Sequence, residues 1–352
     1  MNARLCFLIL AYVPFVQAGI RPSFWLSHCV WDATDILELA VTPGGEGFRV
    51  VAAIKGGTQP DAAKVFPELA HRAQDHGLLK DLVISFPCGF GAQRCYEVDP
   101  PIRDVDRLIV FLRPGDEPAN ETMLTSTVWL QDGFVYAFAQ TNNPGPTHLI
   151  PLLSATEVVK NGVPVRQLSW KKESEIRDEI HRLLELRATF DNAVANHDTS
   201  ERVADLARLV RSGDNVVVRS VLAKLSNDGP EAAHALRPLL DDDSLIMEHF
   251  EILDAIARTG AHDIRLDSVL VRKKTYWERT CPERLDDSWV RSYGQPPAYH
   301  YLRIVSALKA IQALGLKDDL QAVRTFNELI RHCQALSEQN ELTELTGDLL
   351  RQ

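Results

Sequence analysis

The chain has little of what most often carries chemistry at a recognisable spacing. It holds 6 cysteines in 352 residues and no C-x-x-C, which leaves a thiolate zinc site unsupported. Neither a G-x-S-x-G elbow nor a G-x-x-x-x-G-K-[ST] loop occurs, so no serine-hydrolase turn or phosphate cradle is encoded. Cations are in the minority: 38 Lys+Arg face 48 Asp+Glu, for a net charge of −10. That balance argues against a nucleic-acid partner, because backbone phosphates need clustered positive charge. Beyond the N-terminus no apolar run approaches the roughly 20 residues of a membrane span. No cofactor or metal is implied by any spacing.

What is present begins with an address. Arg4 precedes a 12-residue apolar run from Leu5 to Val16, and Val16-Gln17-Ala18 then places modest side chains at −3 and −1. This is the pattern of a secretory signal peptide over residues 1–18, cleaved after Ala18; the short run and Pro14 argue against a stable anchor. The expected location is secreted or periplasmic, in a bacterial envelope. Five cysteines follow the leader: Cys29, Cys88, Cys95, Cys281 and Cys333. The number is odd, so at least one is left over from pairing within the chain. Cys88 and Cys95 bracket a Gly-rich turn that a disulfide would close in an oxidising compartment; two separate buried thiols are the alternative.

Residues 19–151 read as a mostly β domain. Strand-like runs fall at 35–41, 48–54, 82–86, 108–112, 127–130 and 134–139, rich in β-branched and aromatic residues and bounded by turns. Asp132-Gly133 between the last two is a hairpin signal. Cys29-Val30-Trp31 leads into the first run. Six short strands predict a small barrel or sandwich. Asp61 to His76 is ambiguous, since Pro67 interrupts an otherwise helical pattern. Residues 152–170 serve as a linker.

From 171 to 352 the period is helical, beginning with Ile176, Ile180, Leu183 and Leu184 on one stripe. A repeat runs through this half. Leu222-x-x-Leu225 with Gly229, Leu253-x-x-Ile256 with Gly260, and Leu308-x-x-Ile311 with Gly315 share one pattern. The apolar pair belongs on the buried face of a helix, and the glycine supplies the left-handed residue that ends it. Leucine to leucine, the spacing is 31 (222 to 253) and then 55 (253 to 308), as one unit plus an insertion of 24 requires. Asp214 and Asp243 stand where N-caps belong. Earlier helices of the pairs show as Val203-Leu206-Ala207-Val210 and Ala232-Ala235-Leu236-Leu239.

On these residues, and above all on the segment from Gly229 to Gly260, the half resembles HEAT-like (armadillo-type) repeat proteins of the short bacterial kind. The resemblance implies an all-α solenoid after the β domain, whose faces bind other macromolecules.

Candidate contact residues cluster in the insertion, taken as 276–301. It holds 6 of the chain's 13 Trp and Tyr. Trp277, Trp289, Tyr293 and Tyr299, with Arg272 just upstream, are the residue types that dominate binding hot spots. The alternative is that these rings pack a long loop onto the helices. His71 and His76 are five apart, which turns one ring away from the other on a helix. The expectation is a non-enzymatic binding or scaffold protein whose partner is another protein of the cell envelope. The rival is a hydrolase in the β domain using Cys88, Asp104 and Asp106; a third reading is a carbohydrate or cell-wall module.

Overall fold

The computed structural model describes residues 20–22, 25–42, 48–56, 65–66, 82–88, 92–98, 107–113, 127–131, 133–141, 148–160, 163–246, 248–280, 296–337 and 339–351. Beyond its leading residues the chain forms two compact units, 15–185 and 186–352.

The first unit is built on antiparallel β-structure. Its strands are β1 (Ile20–Pro22), β2 (Asp35–Val41), β3 (Phe48–Lys55), β4 (Val65–Phe66), β5 (Leu82–Cys88), β6 (Ala92–Val98), β7 (Arg107–Leu112), β8 (Thr127–Gln131), β9 (Phe134–Thr141), β10 (His148–Pro151), β11 (Leu153–Lys160) and β12 (Val163–Trp170). Eight of them join in one sheet, ordered β1-β9-β8-β7-β2-β3-β4 with β10 also on β9; β5–β6 and β11–β12 pair as separate hairpins. An antiparallel sheet is therefore the architecture of this half. All six runs picked out by alternation and turn residues are strands. At the Asp-Gly signal Gln131 pairs with Phe134, and Gly133 sits at φ 76°, where an L-residue is strained.

Two helices flank the sheet, α1 (Leu26–Asp32) and α2 (Glu173–Ala195). One sheet face, with Ile36, Ile109, Phe111, Val128, Leu130 and Val135, packs on Cys29 and Val30 of α1 and on Ile176, Ile180 and Leu183 of α2. The opposite face is also buried, with Leu37, Leu39, Val110, Trp129 and Tyr136 at its centre. Phe48 meets Trp129 edge-on, the ring centroids 5.8 Å apart. Burial on both faces explains why β7 and β8 read as continuous apolar runs rather than alternating ones.

Cys29-Val30-Trp31, ahead of the first run, is helix, because this stretch buries one stripe against the sheet. Within the stretch 152–170, Leu153–Lys160 and Val163–Trp170 pair as antiparallel strands. The apolar stripe of α2 packs on the sheet through Ile176, Ile180 and Leu183, and the division between the units falls within this helix, after Glu185. His71, His76, Asp104 and Asp106 lie outside the described residues.

The second unit is helical: α3 (Thr199–Leu209), α4 (Asn215–Leu225), α5 (Pro230–Leu236), α6 (His249–Arg258), α7 (Asp267–Thr280), α8 (Pro296–Leu314), α9 (Leu320–His332), α10 (Gln334–Ser337) and α11 (Asn340–Arg351). Alternate helices pack together: α3 on α5, then α4 on α6, α6 on α8, α7 on α9, and α8 on α11. Asp214 caps α4, accepting from Val216 N at 3.0 Å. In the next unit Asp243 does not cap α6: Asp242 accepts from Ser244 N at 3.1 Å and caps the short 3-10 turn Asp243–Leu245, and α6 begins after Glu248 with no side-chain cap. Gly260 and Gly315, at φ 73° and 62°, follow the ends of α6 and α8. Gly229, at φ 79°, comes after α4 and starts α5 with Pro230 at its first turn. The predicted insertion narrows, since 276–280 continue α7 and 296–301 begin α8.

Candidate functional site

The polar contacts between successive helix pairs repeat at a nearly fixed sequence separation. Arg211 Nε meets Asp242 Oδ2 at 3.2 Å across 31 residues. Arg219 Nε meets Glu251 Oε1 at 3.0 Å across 32, and Arg237 reaches Ser268 across 31. Arg272 holds Asp241 at 3.1 Å, and Lys309 holds Glu341 at 2.7 Å across 32. Where the insertion intervenes the separation becomes 54: Arg265 Nε meets Asp319 Oδ1 at 3.0 Å. Beside it, Leu266 N donates to Asp319 Oδ2 at 2.8 Å. His262 Nδ1 lies 2.6 Å from the carbonyl oxygen of Leu314, so the glycine-ended termini of α6 and α8 are neighbours. Except for Arg272, which reaches back to Asp241, each cation meets a partner later in the chain, and Arg265 does so across the longer separation as well.

Most of these pins are half-exposed and contribute little each. Asp319 is the exception, with no exposed surface. Burial raises its carboxyl above the ordinary value, and the Leu266 N–H and Arg265 guanidinium oppose that rise.

The expected contact residues separate. Trp277 is fully buried, so it belongs to the core and offers no side chain to a partner. Arg272 is half-exposed but committed to Asp241. Tyr299 lies in α8, with its side chain outside the described residues, and Trp289 and Tyr293 fall outside them entirely. Tyr301 is partly buried, and burial, then Glu341, push its hydroxyl well above the ordinary range. The cluster is therefore not a ready-made exposed patch among the described side chains. The register of the β5–β6 hairpin sets Cys88 opposite Ala92 and Cys95 opposite Ser85. At about 3.3 Å per residue that offset is about 10 Å along the ladder, so a Cys88–Cys95 bond requires the hairpin to shift.

Between α7 and α9 lies a depression of about 400 Å³, lined by Lys274, Trp277, Glu278, Thr325, Glu328, Leu329, His332 and Cys333. Lys274 and Glu278 form an ion pair on its wall. Its lining carries both acidic and basic side chains, which suits a polar ligand better than an apolar one. Among the described residues no group of three His, Cys, Asp or Glu is placed to hold a metal, and no helix is long and apolar enough to cross a membrane.

One residue that pattern reasoning passes over is Arg303 on α8. It is 2% exposed, and its Nε and Nη2 have no hydrogen-bond partner among the described residues. Burial lowers its pKa to about 10, with Asp243 opposing the shift. Its signal in the sequence is a lone cation within Leu302-Arg303-Ile304-Val305, a run that is otherwise apolar. A charge held this way costs stability. Arg303→Met is expected to gain about 1–3 kcal/mol, read as a raised thermal midpoint; a lowered midpoint would show that something in solution holds the guanidinium.

No family model matches the chain, and neither a curated protein nor a solved structure matches it.

Proposed function

We propose that the chain is an exported, non-enzymatic binding protein whose second unit is a HEAT-like solenoid that docks another protein of the cell envelope. The observation that supports this reading best is the clasp repeated at 31 or 32 residues and again at 54 across the insertion. Helix pairs that meet only their neighbours form an extended surface, and such surfaces bind macromolecules. The leader of residues 1–18, with its expected cleavage after Ala18, supports work outside the cytosol. Binding through the sheet unit, to carbohydrate or cell wall, is the lesser part of the proposal.

The architecture and the activity are tested separately. Deleting residues 230–260 removes one period of 31, from Pro230 to Gly260. A solenoid is expected to stay helical and to unfold cooperatively at a lower midpoint; an irregular bundle loses its transition altogether. For the activity, the mature chain is immobilised and used to capture proteins from its own envelope, with mass spectrometry. A partner held by the intact chain and reduced at least about tenfold by the deletion (~1.4 kcal/mol) supports docking on the helices. Equal retention by both baits, or no enriched protein, removes the helical unit from the account.

A further inference from the structure

Arg303 of α8 is buried, and the two nitrogens that lack an acceptor among the described residues, Nε and Nη2, lie on one edge of its guanidinium. That edge presents two parallel N–H groups, the fork that takes two oxygens of a carboxylate or a phosphate at once. Neither Asp243, which acts on Arg303 through its charge, nor Glu248 at the start of α6 accepts from it.

The surroundings of this edge follow from how α6 and α8 lie. The two helices pack together. His262, just past α6, has Nδ1 2.6 Å from the carbonyl oxygen of Leu314, the last residue of α8. Both helices therefore run toward the same end, side by side and parallel. α6 has 10 residues, and equal rise along the two axes sets its first turn beside the turn of α8 that holds Arg303. Side chains on a helix lean toward its N-terminus, so the guanidinium is carried back toward the turn Asp243–Leu245 that precedes α6. The influence of Asp243 agrees with that placement. Because no side chain caps α6, the positive end of its dipole adds to the cation. Two buried imidazoles belong to the same helix starts: His249, whose Nε2 lies 2.9 Å from the carbonyl oxygen of Asp242, and His300, one turn before Arg303.

We propose that the Nε–Nη2 edge of Arg303, level with the start of α6, binds a small free oxyanion, a carboxylate or a phosphate held by two parallel N–H···O bonds. A buried guanidinium without acceptors is costly, and the uncapped helix start adds positive potential to it; an anion offsets both. The occupant is small because the side chain that holds it is 2% exposed. The repulsion from Asp243 keeps binding weak and reversible. The site requires neither export nor a docked protein, so its failure leaves the proposed function where it stands.

The test compares the full chain with Arg303→Met in sodium phosphate, sodium acetate and sodium chloride at equal ionic strength and pH. Phosphate stabilises most proteins by exclusion from their surface, so the quantity read is the difference between the two proteins. In chloride Arg303→Met is the more stable. At about 100 times its dissociation constant, phosphate is expected to raise the wild-type midpoint by about 5–10 °C beyond any rise in Arg303→Met. Equilibrium dialysis with radiolabelled phosphate is expected to show saturable binding that Arg303→Met abolishes. Arg303→Lys, which keeps the charge but not the fork, is expected to weaken it at least about tenfold. Equal midpoint rises in wild type and Arg303→Met, or phosphate binding that survives in Arg303→Met, overturn the site. Affinity unchanged in Arg303→Lys, or a chloride effect as large as that of the oxyanions, shows a screened point charge and overturns it as well. Should the variants not fold, the wild type decides alone: labelled phosphate displaced by acetate and not by chloride supports the site, and failure of either condition sinks it.

Discussion

Alanine at Glu173 is expected to cost the sheet unit about 2–3 kcal/mol. Glu173 opens α2 and accepts from Arg107 of β7 at 3.0 and 2.7 Å, and from Arg177 one turn along at 2.7 Å. Both arginines also reach Glu38 of β2, at 3.3 and 2.9 Å. Two carboxylates and two guanidinium groups, drawn from widely separated parts of the sequence, therefore fasten α2 across the sheet. Removing Glu173 leaves two cations on one acid. The arginines remain about a third exposed, so water recovers part of the loss and the figure stays below that of a fully buried pair. Urea unfolding followed by tryptophan fluorescence checks the loss. A change under about 0.5 kcal/mol, the size of an exposed surface pair, would show that the network is ornamental.

The same group sets an acid limit. Burial alone would raise the Glu173 carboxyl, but the hydrogen bonds from Arg177 and Arg107 outweigh it and hold the group below its ordinary 4.5. A depressed carboxyl contributes stability that is present above the unfolded value and is lost as pH falls through the folded one. The sheet unit is accordingly expected to weaken as pH falls below the ordinary carboxylate range, and Glu173→Gln to flatten that part of the curve. An unchanged acid slope in Glu173→Gln refutes the assignment.

The second large effect belongs to Asp319. Asp319→Ala strips a fully buried acceptor from Leu266 N–H and leaves that donor unsatisfied. The expected loss is about 2–3 kcal/mol from the helical unit. Removing its cation instead acts differently. Arg265→Met leaves a buried carboxylate whose pKa is already raised by burial, with one opponent fewer. A raised carboxyl favours the folded state below the unfolded value and loses that advantage as pH rises through the folded one. Arg265→Met is therefore expected to be most damaging at neutral pH and to recover in mild acid. A pH-independent deficit would exclude Asp319 as the titrating partner.

How much of this is legible in the sequence depends on whether a signal is local. The six strand runs depend on neighbours in sequence, and the structure contains them all; at the Asp-Gly signal it pairs Gln131 with Phe134. The glycines after α6 and α8 are legible too, because a left-handed residue at a helix end has few occupants. The hairpin of β11 and β12 escapes because Thr156, Glu157, Arg166 and Gln167 dilute its apolar alternation. For α2 the stripe of Ile176, Ile180 and Leu183 shows that the helix packs, but not that its partner there is the sheet. Glu38, Arg107 and Arg177 look like ordinary surface charges until the sheet brings 38 beside 107. Trp277 suits a contact by residue type, and only burial shows it to be core. Arg303 needs the reverse inference, from an unsuitable residue on an apolar helix.

The Arg265–Asp319 clasp has an evolutionary implication. Both of its partners lie outside the stretch between α7 and α8. On the proposed solenoid reading that stretch is a permissive point in the gene, where length can change while the clasp keeps its hold.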